Sequence, residues 1–287
     1  MGIYVLEYGD TFLTKMMHTN FHFIVKTKSF KGLLVVLMML CTAVCLAQPP
    51  KQNLNIVFIG NSITYGARLA NPATEAPPVA AVTYLQRQQG IGDVSWSNQG
   101  KSGATTVDFL PSSPVLFNKV EKAAHNFSGQ HALLIFSIKL GTNDSAIHGP
   151  NGAPVSPETY RQNLKLIADS LLSEFPGCIV IFQRPIWYSP NTYNHSKYLR
   201  EGLSRLQTYF PQIDRLVSEY AVTNPKRVFT GDKKGFKHFR KHYLTDLQPE
   251  QGQAGTFYLH PNKRGASALG EFWGRSIYKI LRRINRI

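Results

Sequence analysis

Cysteine is scarce in this chain of 287 residues: three in all, Cys41, Cys45 and Cys178. Two of them fall in the first 47 residues. A chain without that segment has no partner for an internal disulfide and must be held by an apolar core. Cys178, in the apolar run Cys178-Ile179-Val180-Ile181-Phe182, reads as inert core. Acid is scarce as well, with 17 Asp and Glu against 32 Lys and Arg, a net of +15. That implies a basic surface and says nothing of the fold. No apolar run reaches the roughly 20 residues that a membrane-spanning helix needs. No internal repeat or linker interrupts residues 52–287, so one domain is the simplest organisation.

The longest apolar run is N-terminal. Lys26, Lys28 and Lys31 precede the stretch Gly32 to Ala47, and Cys45-Leu46-Ala47 before Gln48 fits a small-x-small cleavage site. Residues 1–47 therefore read as a signal peptide, with the part before Lys26 a candidate over-extended start and Met16 or Met17 the alternative. The expected mature domain is 48–287, secreted or periplasmic, with no stable membrane insertion after cleavage. Lipid anchoring at Cys45 is the lesser reading, because Val44 is larger than the small residue such sites prefer. Without residues 1–47 the chain keeps 28 basic and 15 acidic residues, a net of +13.

What remains alternates between strand and helix. Ile56-Val57-Phe58-Ile59 is an apolar run that ends in Gly60-Asn61-Ser62, as a fully buried strand of a parallel sheet does. Val79–Gln89 reads as a helix, Val94–Asn98 as a strand, Val115–His125 as a helix and Ala132–Ile138 as the strongest strand. Ser156 and Pro157 open a helix as N-cap and first residue. Cys178–Phe182 is a strand and Tyr198–Val222 a helix with a candidate break at Pro211. Arg227–Thr230 is a last short strand, residues 231–255 carry no clear period, and a helix follows His260. About five alternations argue for a parallel sheet with helices on both faces.

Parallel strands align their carboxyl ends, and ligands bind in the crevice beyond them. Three strands end in turns rich in Gly, Asn and Ser: at Ser62, over Asn98–Gly103, and at Asn143. His260-Pro261 precedes the final helix. A hydroxyl, backbone N–H groups, a carboxamide and an imidazole would thus meet in one crevice. Acyl transfer needs such a set: a nucleophile, a base, and preorganised donors for the oxyanion.

Gly60-Asn61-Ser62-Ile63-Thr64, Gly103, Gly141-Thr142-Asn143-Asp144 and His260-Pro261-Asn262 resemble, in order, the motif blocks of the SGNH (GDSL-like) hydrolases. The resemblance covers residues 55–275. It implies a flavodoxin-like three-layer α/β/α sandwich with a central parallel five-stranded sheet. It implies Ser62 as nucleophile, an oxyanion hole from the Ser62 and Gly103 N–H groups and the Asn143 side chain, and His260 as base. It implies no metal and no cofactor. Two positions depart from the family pattern. Asn61 stands where the family has Asp, in a position that braces the turn. Phe257 stands three residues before the histidine, where the family carries its catalytic acid. His260 would then be oriented by the Phe257 backbone carbonyl, or by Asp246 or Glu250 reaching in from upstream.

Blander roles stand beside these. Ser62 could be a helix N-cap, and Asp144 reads as a structural brace of its loop. Trp187 and Tyr188 follow a strand end and are candidate substrate-binding platforms on the rim, as is His148 near the Asn143 loop. The basic run Lys226–His242 reads as a solvated insertion whose functional reading is attraction of an acidic polysaccharide. No interleaved motif supports nucleic-acid binding. The C-terminal Lys279, Arg282, Arg283 and Arg286 suit the dipole of a helix end. The expectation is a secreted serine ester hydrolase removing acetyl or another short acyl group from a small-molecule or glycan substrate. The alternatives are a catalytically weak carbohydrate-binding protein of the same fold, or a lipase. Oligomeric state is not encoded in any of these signals.

Overall fold

The computed structural model describes residues 51–287; the expected signal peptide, with Cys41 and Cys45, lies outside the described residues. Strand β1 (Gln52–Gly60) ends in the one-turn helix α1 (Ser62–Tyr65). A second single turn, α2 (Pro72–Glu75), leads to α3 (Pro77–Gln86), β2 (Ile91–Gly100) and α4 (Pro114–His125). Next come β3 (Leu133–Lys139), α5 (Pro157–Glu174), β4 (Ile179–Phe182), α6 (Leu199–Thr223) and β5 (Val228–Thr230). The chain closes with α7 (Gly235–Asp246), β6 (Leu247–Gly252), β7 (Gly255–Pro261) and α8 (Lys263–Arg283).

The first five strands form one sheet in the order β2-β1-β3-β4-β5, every pair parallel. This is the expected α/β sandwich, and its strand order reverses at β1, flanked by β2 and β3. Period-2 alternation splits the sheet residues between two cores. Val57, Ile59, Phe136, Ile138, Val180 and Phe182 face one core, with residues of α4, α5 and α6. Leu54, Ile56, Phe58, Ile135 and Ile181 face the other, with residues of α3 and α8. In the second core Trp273 stacks on Phe58, ring centroids 6.1 Å apart.

Local chemistry sets the ends. The Asn61 side chain accepts from Ile63 N–H at 3.1 Å and caps α1, a role Asn fills as well as Asp. Ser156 accepts from Thr159 N–H at 3.1 Å with Pro157 first in α5, as the sequence predicts. Helix α6 does not break at Pro211. Pro211 and Gln207, whose carbonyl loses its helical donor to the proline ring, lie on the exposed face, where water can serve that carbonyl. Tyr209, Ile213, Leu216 and Tyr220 meanwhile hold the buried face in place.

The largest departure from the sequence expectation is the segment 231–255. It folds into α7 and the first strand of an antiparallel hairpin, β6–β7, separate from the main sheet. Gly252 pairs with Gly255 across the two-residue loop Gln253-Ala254. A short Gly-bounded loop between extended segments is a hairpin signal, but Leu247-Gln248-Pro249-Glu250 lacks the apolar alternation that announces a strand.

Helices α3 and α8 lie close because α8 presents glycines to its neighbour. A Cβ on Gly270 would sit 2.2 Å from the Pro77 carbonyl oxygen, and one on Gly274 2.8 Å from the Tyr84 ring. Gly270→Ala should therefore lower unfolding stability by about 1–3 kcal/mol, the usual cost of overpacking. The exposed Ser267→Ala on the same helix should be near neutral. Equal urea midpoints for the two variants would show that the helices can part without cost.

Candidate active site

Ser62 begins α1 directly after β1, half-buried at the carboxyl end of the sheet. His260 lies near the end of β7, 8% exposed. Its Nδ1–H donates to Glu250 Oε1 at 2.7 Å. In the neutral imidazole that leaves Nε2 as acceptor for the Ser62 hydroxyl, 3.0 Å away. Glu250 also accepts from the His260 backbone N–H at 3.3 Å and, through Oε2, from Arg68 Nε at 3.2 Å. Gln248 donates to the Arg68 carbonyl at 2.7 Å, tying the Arg68 loop to β6.

Of the three groups expected as candidates to orient His260, Glu250 is the one hydrogen-bonded to its ring. Glu250 is the cross-strand partner of Phe257, so the carboxylate enters from the residue opposite the position where the family carries its acid. An irregularity in register between Leu247 and Pro249 lies beside this pair, and such bulges re-aim side chains. Nδ1 is committed to Glu250, which leaves the Phe257 carbonyl no part in orienting the ring. Asp246 is fully buried elsewhere. It accepts from His238 Nε2 at 2.6 Å, Arg264 Nε at 3.1 Å and Thr245 Oγ1 at 2.9 Å, at the junction of α7, β6 and α8. Burial pushes the Glu250 carboxyl up, but the His260 hydrogen bonds and the charges of His260 and Arg68 outweigh it, and its pKa lies below the ordinary glutamate value. The carboxylate is thus ionised at neutral pH.

The expected oxyanion donors lie in the turns that follow β2 and β3. Gly103 has φ +82° in a turn closed by Ala104 N–H on the Lys101 carbonyl at 3.1 Å. That conformation suits glycine, which can hold its N–H exposed there. Lys101 N–H donates to the Gly60 carbonyl at 2.9 Å, fastening this turn to the Ser62 turn. Asn143 is buried, with Oδ1 accepting from the Tyr198 hydroxyl at 2.7 Å and Nδ2 donating to the Ala104 carbonyl at 2.8 Å. A donor on one side and an acceptor on the other settle the amide's orientation. One Nδ2 hydrogen remains for a ligand. Burial holds the Tyr198 phenol far above its usual range, so it stays a donor.

Asp144 braces the loop, as its sequence position suggests. It accepts from the Thr106 N–H at 2.9 Å and from the Thr106 hydroxyl. Burial pushes its carboxyl up to about 6 against those hydrogen bonds. Trp187 and Tyr188 do not form an exposed platform: Trp187 packs on Tyr243, and Tyr188 is fully buried with its hydroxyl 3.0 Å from Ser145 Oγ. The hairpin covers their loop, with Ser189 N–H donating to the Tyr258 carbonyl at 2.9 Å. Tyr188 instead backs Tyr198 edge-on, ring centroids 5.4 Å apart. His148 is exposed and its backbone bridges to Lys197, joining the two loops that carry Asn143 and Tyr198. Among the described residues no group of three or more His, Cys, Asp or Glu is placed to hold a metal, and no helix is long and apolar enough to cross a membrane.

Sequence reasoning also passed over Lys139. It closes β3 beside Gly60, fully buried, with Nζ 3.2 Å from Thr142 Oγ1 and 3.5 Å from Asn61 Oδ1. Among the described residues no carboxylate pairs with it, and burial pushes its pKa down to about 7.

The Ser62–His260–Glu250 chain can pass a proton from hydroxyl to imidazole while the carboxylate steadies the resulting imidazolium. Comparison with known proteins gives the family and the fold. The model of the GDSL-like Lipase/Acylhydrolase family matches residues 58–268. A lipase/acylhydrolase from Enterococcus faecalis shares the fold at TM-score 0.52 and 20% identity, over 79% of this chain and 96% of that one. The aryl esterase of M. smegmatis does so at 0.53 and 15%, over 79% and 100%. Est24, a carbohydrate acetylesterase from Sinorhizobium meliloti, does so at 0.52 and 14%, over 79% and 99%. No curated protein matches the chain in sequence.

The buried lysine predicts a pH dependence. In the unfolded chain Lys139 titrates near its ordinary value of about 10.4. In the folded protein it does so at about 7. Between these pH values the unfolded state binds more protons, so stability rises with pH across that window, and below it the folded protein bears the full cost of a buried ammonium. The stability of Lys139→Met relative to wild type should therefore be highest near pH 6 and fall steadily toward pH 10 in thermal melts. A difference that stays flat with pH would mean that the buried amine keeps its proton.

Proposed function

The chain belongs to the GDSL-like lipase/acylhydrolase family and is a carboxylic ester hydrolase; from that premise we propose that it is exported and removes acetyl or similarly short acyl groups from carbohydrate. The observation that carries the reading is His260, bridged between the Ser62 hydroxyl and the Glu250 carboxylate at 3.0 and 2.7 Å. In this mechanism His260 Nε2 takes the Ser62 proton as Oγ attacks the ester carbonyl. The tetrahedral oxyanion is held by the N–H groups of Ser62 and Gly103 and by Asn143 Nδ2. His260 then returns the proton to the leaving sugar oxygen, and water, deprotonated by the same imidazole, releases the acyl group from Ser62. Glu250 fixes the tautomer and offsets the imidazolium charge without taking the proton.

Export is supported by the signal-like residues 1–47. A small acyl group is supported by the polar character of the turns around Ser62 and by the absence of a long apolar insertion that could serve as a lipase lid. Est24 is an example of carbohydrate acetylesterase activity on a similar fold. The reading as an inactive carbohydrate-binding protein rested on Phe257, and Glu250 removes its motive.

With p-nitrophenyl acetate as substrate, Ser62→Ala should abolish turnover. Glu250→Gln should lower kcat by about 10²–10⁴, the range seen when the orienting acid of such a triad is neutralised. Asp246→Asn should cost stability at the α7–α8 junction and leave kcat within a small factor of wild type. A kcat lost in Asp246→Asn and kept in Glu250→Gln would reverse the assignment. Faster turnover of long-chain than of acetyl esters would replace the deacetylase reading with a lipase.

A further inference from the structure

The basic run seen in the sequence does not stay together in the fold. Lys226 and Arg227 stand before β5 and Lys237, Arg240 and Lys241 on α7. Lys233 and Lys234, in the loop between β5 and α7, join Arg275, Lys279 and Arg282 of α8 around a hollow of about 460 Å³. Tyr84, Phe272 and Tyr278 supply its rings. Spacings of four and three residues set the three α8 cations in one stripe.

Ordinary reasons for surface cations do not account for this set. Lys233 pairs with Asp214 at 3.0 Å and Arg275 with Glu271 at 3.2 Å. Lys234, Lys279 and Arg282 are exposed and have no ion-pair partner among the described residues. The dipole of α8 favours cations in its last turn only; Arg282 lies there, but Lys279, expected from the sequence to suit the helix end, does not, nor do Arg275 and the two loop lysines. The one carboxyl in the lining, Asp232, is spent on its own loop, accepting from Lys234 N–H at 2.8 Å and Gly235 N–H at 2.9 Å. Concentrated positive charge in a concave wall raises the local concentration of anions.

A second hollow of about 450 Å³ shares Tyr84 with the first; its charged lining is Glu75, Arg87, Lys263 and Glu271, and its two carboxylates are paired, Glu75 with Lys263 at 2.9 Å and Glu271 with Arg275 at 3.2 Å. The two together follow α8 from Lys263, three residues after His260, to Arg282. At 1.5 Å per residue that is about 28 Å. Arg275, which lines the first hollow, stacks over the shared Tyr84 at 4.9 Å. Such a track suits an extended chain better than a small ligand.

We propose that the α3–α8 face binds a strand of acidic polysaccharide, with carboxylates or sulfates of the sugars meeting Lys234, Lys279 and Arg282. The proposal rests on the carbohydrate reading given above and narrows its substrate class to a charged glycan. The shared anion chemistry admits uronate or sulfate, and nucleic acid is the competing polyanion.

Affinity electrophoresis of the folded Ser62→Ala protein tests binding without turnover. Polygalacturonate, dextran sulfate and a neutral glucomannan serve as glycan probes, and a single-stranded oligonucleotide as competitor. Polygalacturonate or dextran sulfate should retard the protein and glucomannan should not; whichever retards it more identifies the anion. Adding Lys234→Ser, Lys279→Ser and Arg282→Ser should weaken retardation at least about tenfold. The same three substitutions in an otherwise wild-type chain should leave p-nitrophenyl acetate turnover unchanged. A control with equal charge removed at Lys119, Lys122 and Lys226 should bind as before. No retardation by either acidic glycan, equal loss in the control, or displacement of glycan by oligonucleotide at lower charge concentration overturns the proposal. Loss of Ser62-dependent turnover in wild type would instead sink the esterase reading, whatever the binding result.

Discussion

The hydrogen bond from His260 to Glu250 is the contact on which the site depends. Without it the imidazole has no fixed tautomer and no reason to present Nε2 to Ser62. The bond joins residues on two strands of a hairpin that takes no part in the central sheet. Its geometry is therefore set by the ladder between β6 and β7 and by Arg68, which holds the far carboxylate oxygen. Burial alone would make this glutamate easier to protonate; the hydrogen bonds from His260 and the charge of Arg68 keep it ionised.

The remaining parts are positioned by similar pairwise fastening. Lys101 ties the Gly103 turn to Gly60, Tyr198 turns the Asn143 amide, and Lys139 spans Asn61 and Thr142 beneath both loops. Each connection joins the end of one strand, or the loop that follows it, to the loop after another. The crevice beyond a parallel sheet becomes a site of fixed shape because its loops are bound to one another, and the sheet supplies only their starting points.

Residues that occupy strand ends were legible in the sequence. Ser62, Gly103, Asn143 and His260 each follow or close an apolar run or open a helix, where pattern and turn chemistry coincide. Asp144 as a brace was legible for the same reason. Glu250 could be no more than one candidate among three, because Leu247 to Gly252 is a strand held by its partner and by no apolar period of its own. Tyr198 and Arg68 carried no signal, since their roles arise from loops that meet only in the folded chain. Trp187 and Tyr188 misled: an aromatic loop after a strand end looks like a rim until a hairpin covers it.

The placement of Glu250 opposite Phe257 has a consequence for how active members of this family are counted. A motif filter that requires an acid three residues before the histidine discards this chain as a pseudoenzyme. In this hairpin the carboxylate that meets His260 comes from the residue paired with position 257 across the ladder. A motif read along the chain alone does not see that pairing.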